Sequence, residues 1–94
     1  MAEFENFQLM QGKTLLATLT WFKTDQPWFC CRFEPTTAFA IAKPLFDEQR
    51  ENGGDEILFG KIDALGLVLR DVETGQEIAD FLLTIEDDEA WFRY

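Results

Sequence analysis

The chain has 94 residues, 47% of them hydrophobic, with ten Phe and three Trp; that length suits one domain, and that apolar content excludes a disordered chain. The formal net charge is −10, from 18 acidic against 8 basic residues, which excludes nucleic-acid binding through phosphates and docking on anionic membranes, both of which need a basic surface. Histidine and serine are absent, so Ser-His and Cys-His nucleophile arrangements and the commonest general base are excluded too.

In chain order, residues 4–10 alternate irregularly, with Phe7 and Leu9 on one face and Phe4 and Met10 near the ends. Gln11-Gly12-Lys13 reads as a tight connection. Residues 14–23 read as a strand because Thr and aromatic residues favour the pleated state. The odd positions Leu15, Ala17, Leu19 and Trp21 predict its apolar face. The even positions Thr14, Thr18 and Thr20 predict a hydroxyl face interrupted by Leu16 and Phe22. Thr24-Asp25-Gln26-Pro27 is a turn cluster leading into the stretch around which the chain is organised, Trp28-Phe29-Cys30-Cys31-Arg32-Phe33-Glu34.

Period-2 spacing places Phe29, Cys31 and Phe33 on the core face of that strand, and Trp28, Cys30, Arg32 and Glu34 on the other. Neighbouring strand residues point to opposite faces. Cys30 and Cys31 therefore cannot bridge without distorting the backbone, and both are expected as free thiols. A reactive vicinal dithiol would lack an activating base.

Pro35 ends this first strand run, and Thr36-Thr37 offers a helix N-cap. Residues 38–51 have helical spacing, with Ala38, Ile41, Ala42, Leu45 and Phe46 as the apolar stripe. Pro44 predicts a kink or a break into two pieces. Asn52-Gly53-Gly54 is a stop. Asp55 can cap a second helix through Leu65 with Leu58, Ile62 and Leu65 on one face, a short strand at 57–59 being the alternative; Gly66 suits its C-cap. Residues 67–72 read as a strand, Glu73-Thr74-Gly75-Gln76 as a hairpin turn, and residues 77–86 as one longer strand with Ala79, Phe81, Leu83 and Ile85 on its core face. Asp87-Asp88 turns into a last strand, 90–94. The sequence of elements predicts an α+β domain over residues 1–94: a two-layer sandwich, βββ-αα-βββ, with helices on one face of a mostly antiparallel sheet of about six strands. Residues 28–33 echo residues 91–94 in residue class, which chance explains in an aromatic-rich chain.

Motifs for cofactor chemistry are missing. Cys30-Cys31 lacks the spacing and the second pair of a zinc site. Gly53-Gly54 is not followed by the Gly-Lys-Ser/Thr of a phosphate loop. The run Glu86-Asp87-Asp88-Glu89 lacks the alternating oxygen ligands and the glycine of an EF-hand loop, so a charged hairpin tip is the simpler reading. The expectation is no catalytic residue, no metal and no cofactor.

What remains is surface. Asp80 falls mid-strand on the non-core side, together with Thr18, Thr20, Trp28, Arg32, Trp91 and Arg93. Trp and Arg are enriched at binding hot spots, although cross-strand ion pairs and cation–π contacts that tidy an exposed face account for the same pattern. The expected function is a small acidic non-catalytic module that docks on a larger basic protein, like immunity proteins, antitoxins and inhibitors in size and charge alone. The alternatives are a homodimeric accessory protein that associates through the aromatic sheet face, and a small-ligand binder or enzyme using Asp80 and other carboxylates. Candidate contact residues are Trp28, Arg32, Asp80, Trp91 and Arg93 on the face, and Glu86, Asp87 and Asp88 at the turn. Residues 47–56 could form a second negative lobe. Solubility alone is the competing explanation of the charge. Met-Ala-Glu-Phe-Glu has neither the basic segment nor the apolar run of a signal peptide, and no stretch approaches the ~20 apolar residues of a membrane helix, so a soluble cytoplasmic protein is expected.

Overall fold

The computed structural model describes residues 6–53 and 56–94; Phe4, Gly54 and the expected Asp55 cap lie outside the described residues. Among them, seven strands form one antiparallel sheet: β1 (Asn6–Gln11), β2 (Thr14–Asp25), β3 (Trp28–Pro35), β4 (Leu67–Asp71), β5 (Glu77–Ile78), β6 (Leu82–Glu86) and β7 (Glu89–Arg93). Their order across the sheet is β5-β4-β1-β2-β3-β7-β6. A short 3-10 helix (Thr37–Ile41) and the helices α1 (Lys43–Asn52) and α2 (Glu56–Ala64) separate the first three strands from the rest. This is the expected α+β arrangement, with helices between two strand runs. The echoing segments 28–33 and 91–94 lie on adjacent strands, with Cys30 opposite Trp91.

The sheet is strongly curled, and its connectivity shows why it must be. β5 and β6 occupy opposite edges, yet only residues 79–81 separate them in sequence. On a flat sheet those edges would be about 29 Å apart at ~4.8 Å per strand, while four Cα steps reach about 14 Å. The strand expected over 77–86 therefore cannot be continuous: the chain leaves the ladder after Ile78 and rejoins it at Leu82 on the far edge. The core role expected at Ala79 is lost accordingly, that residue being exposed, while Phe81 is half-buried and still packs against the core. Across the concave face Phe7 of β1 meets Phe92 of β7 edge to face, ring centroids 5.1 Å apart, although two strands lie between them.

Two bulges interrupt the alternation of β2. Leu9 pairs with Ala17 and Met10 with Leu15, leaving Leu16 extra; Trp21 pairs with Cys31 and Lys23 with Cys30, leaving Phe22 extra. An extra residue shifts the faces of everything beyond it. Leu16 and Ala17 are therefore both fully buried, while Leu15, expected on the core face, is only half-buried. Thr36 attends the first bulge. Its backbone N–H donates to the Leu16 carbonyl at 2.8 Å, and its hydroxyl reaches the Leu15 and Leu16 carbonyls at 2.7 and 3.1 Å. The expected side-chain cap is thus absent at Thr36, because the hydroxyl is engaged by the Leu15 and Leu16 carbonyls at the bulge.

The core fills the concave side. Leu9, Leu19, Cys31, Leu69 and Phe92 are fully buried there and join Phe39, Ala42 and Phe46 from the helical segment in one cluster. Phe39 bridges the layers, meeting Phe33 at 5.0 Å and Phe46 at 6.1 Å. Burial of each such ring or branched chain contributes about 1.5–3 kcal/mol. Pro44 breaks the helical stretch in two and sits in the first turn of α1, where no intrahelical N–H is needed. α2 is a helix, not the alternative strand, with Leu58 buried. Gly66, at φ 68, follows α2 in the left-handed region that glycine adopts without a Cβ penalty.

Candidate functional site: the outer sheet face and the 86–89 turn

The convex face is lined by the outward residues of β3 and its neighbours. Period 2 on β3 turns Cys31 and Phe33 into the core and leaves Arg32 and Glu34 exposed, with Trp28 and Cys30 half-buried. Register then fixes the neighbours. Arg32 lies between Thr20 of β2 and Glu89 of β7, and Cys30 lies between Lys23 and Trp91. Trp91 also faces Thr84 of β6, and Leu82 faces Arg93. The Arg93 guanidinium carbon stands 5.3 Å from the centre of the Trp28 ring, a cation–π contact worth about 0.5–1 kcal/mol at an exposed site. Of the expected face residues, the fold thus brings Trp28, Arg32, Trp91 and Arg93 together.

Asp80 does not join them. It lies in the 79–81 connection rather than in a strand, is exposed, and lines a cleft at the end of the sheet together with Asp63. The reason is the broken strand: without a ladder at residue 80, period 2 has no meaning there.

The acidic turn adjoins the aromatic face. Glu86 and Glu89 close the β6–β7 hairpin. Asp87 has φ 55, a left-handed turn position that Asp tolerates better than most side chains. The Asp88 carbonyl accepts the Phe33 N–H at 2.7 Å, which anchors the turn to β3. Glu86, Asp87, Asp88, Glu89 and the half-buried Trp91 line a shallow concavity of about 320 Å³. Register carries this arrangement: Trp91 points outward two residues after Glu89, so its ring leans beside the turn. Among the described residues the ion pairs are Lys43–Asp47 at 2.7 Å and Arg50–Glu51 at 3.8 Å, both on α1. Neither pair involves the four turn carboxylates or Arg32.

The cysteines are both free. Burial, reinforced by the neighbouring Cys30 thiol, pushes the Cys31 thiol from 9.0 up to about 12. Its sulfur donates to the Phe29 carbonyl at 3.8 Å. A thiol held protonated this way is a packing group rather than a nucleophile.

Among the described residues no group of three or more His, Cys, Asp and Glu side chains is arranged to hold a metal ion, and no helix is long and apolar enough to cross a membrane. What the sequence reading missed is the cleft beside Asp80, whose walls come from α2, the 79–81 connection and the last residues of β7. Periodicity within one element cannot reveal a site made by elements that only the curl brings together. No protein-family model, curated protein or solved structure matches this chain.

Proposed function

We propose that the protein is a non-catalytic binding module that docks on a basic protein through the convex sheet face and the adjoining acidic turn. The observation that supports this most directly is Trp91 set among Glu86, Asp87, Asp88 and Glu89. An aromatic ring beside carboxylates suits the side chain of a partner's Lys or Arg: the ring offers its negative face, the carboxylates offer charge-assisted hydrogen bonds. Trp28 and Arg93 extend the same face with rings and donors of the kind found at binding hot spots. The net charge of −10 would steer a basic partner and speed its association.

The test is affinity capture from host extract with wild type, Trp91→Ala, and the triple variant Glu86→Gln, Asp87→Asn, Asp88→Asn. A basic partner retained by wild type, released by raised salt and lost from both variants is the expected result. Equal capture by all three baits would reduce the charge to a solubility device. Sedimentation of the purified protein separates this reading from homodimerisation through the same face, which would appear without any partner and be lost in Trp28→Ala.

A further inference from the structure

The 79–81 connection does more than join two edges. Where it passes beside the helices it borders a cleft of about 530 Å³, also lined by α1, α2 and the end of β7. Its apolar walls include Phe59, Phe81 and Tyr94. Phe59 and Tyr94 remain 36% and 69% exposed, leaving apolar ring surface that a ligand's apolar body would remove from water.

The polar groups in the cleft are unequal in kind. Asp63 from α2 and Asp80 from the connection both reach it, and neither has an ion-pair partner among the described residues. Gln49 of α1 also lines it, and its side-chain carbonyl oxygen is buried without a hydrogen bond. All three present acceptors. The one cation lining the cleft among the described residues, Arg93, has its guanidinium over the Trp28 ring. Two carboxylates thus share the cleft with a single guanidinium that is turned to the Trp28 ring, and the excess of negative charge faces an aromatic wall.

We infer that this cleft binds a small organic cation: an amine or amidine carrying an aromatic or branched aliphatic body. The body would cover Phe59, Phe81 and Tyr94, and the cationic head would donate to Asp63 and Asp80. The volume lies within the roughly 300–1,000 Å³ typical of small-molecule sites. This site is distinct from the Trp91 concavity. The two lie towards opposite ends of β7, so either reading can fail without the other.

The experiment is a chemical-shift titration of the full chain with benzamidinium, using neutral benzamide and anionic benzoate as controls of the same shape. Benzamidinium is expected to give saturable shifts at residues 59–63, 80–83 and 93–94, with benzamide weaker by about tenfold and benzoate without effect. Asp63→Asn with Asp80→Asn should weaken benzamidinium about tenfold, whereas Trp91→Ala should leave it unchanged. Both aspartates are exposed, so the double variant should keep the wild-type spectrum elsewhere. Equal binding of benzamide, unchanged binding in the double variant, shifts centred on 86–91, or no saturable shift by about 20 mM would each overturn the assignment.

Discussion

Glu86 and Glu89 stand directly opposite each other across the β6–β7 hairpin, two carboxylates at one cross-strand position. Like charges in that geometry destabilise a sheet, so the fold gains nothing from holding them there. Glu86→Gln should raise stability by about 0.2–1 kcal/mol. The gain should shrink towards zero in 1 M salt, where screening shortens to about 3 Å. Urea unfolding at low and high ionic strength measures both; a gain independent of salt would mean that repulsion is not its source.

Phe92 is fully buried and touches both Phe7, at 5.1 Å, and Phe29, at 5.3 Å. Phe92→Ala should cost about 3–5 kcal/mol. Tyr94 stacks on the same group of rings, 5.7 Å from Phe29, but is 69% exposed. Tyr94→Ala should therefore cost less than about 1 kcal/mol. Comparable losses from the two substitutions would contradict the curl, because only the curl buries Phe92 and leaves Tyr94 in solvent.

The Thr36 hydroxyl holds the Leu15 and Leu16 carbonyls at the first bulge. Thr36→Val keeps the shape and removes the donor, and should cost about 1–2 kcal/mol. Thr36→Ser should retain most of the stability. Thr37 is exposed next door, and Thr37→Val should stay within about 0.5 kcal/mol of wild type. Thermal melts of the three variants decide whether the bulge depends on this hydroxyl.

Cys31 makes stability depend on alkali. Its folded pKa of about 12 lies above the 9.0 of an unperturbed thiol, so above pH 9 the unfolded chain releases a proton that the folded chain keeps. The contribution is fully present below pH 9.0 and is lost as pH rises towards 12, at about 1.4 kcal/mol per pH unit. Urea unfolding at pH 8 and pH 10, on either side of 9.0, should show a loss of about 1.4 kcal/mol between them from this thiol, which disappears in Cys31→Ala. An unchanged loss in the variant would place its origin elsewhere.

The β3 faces were legible in the sequence because nothing interrupts period 2 between Phe29 and Phe33. The same rule failed at Leu15 and Leu16, since a bulge adds a residue without any Gly or Pro to mark it. Pro44 signalled a break in the helical stretch, and the break is there. Residues 79, 81, 83 and 85 are all apolar and suggested one continuous core face, yet the chain crosses between sheet edges at 79–81; strand order, which no local pattern encodes, overrode it and removed Asp80 from the outer face. Parity put Trp28 and Arg32, and Trp91 and Arg93, on the non-core side of their own strands; that the two strands adjoin and merge these pairs into one face came from the β3–β7 pairing. That Trp91 lies against the acidic turn depends on hairpin geometry, and the Asp63–Asp80 cleft depends on the curl, so neither was accessible without coordinates.

The curl also bears on how a chain this rich in strands avoids polymerising. An open sheet ends in two rows of unpaired backbone groups, each a template for another chain. Here one edge is β5, only two residues long, and the other, β6, is five residues long. Two short margins leave little backbone for a neighbouring molecule to extend. The geometry of the sheet itself therefore discourages strand addition, a protection that charged side chains commonly supply in β-rich proteins.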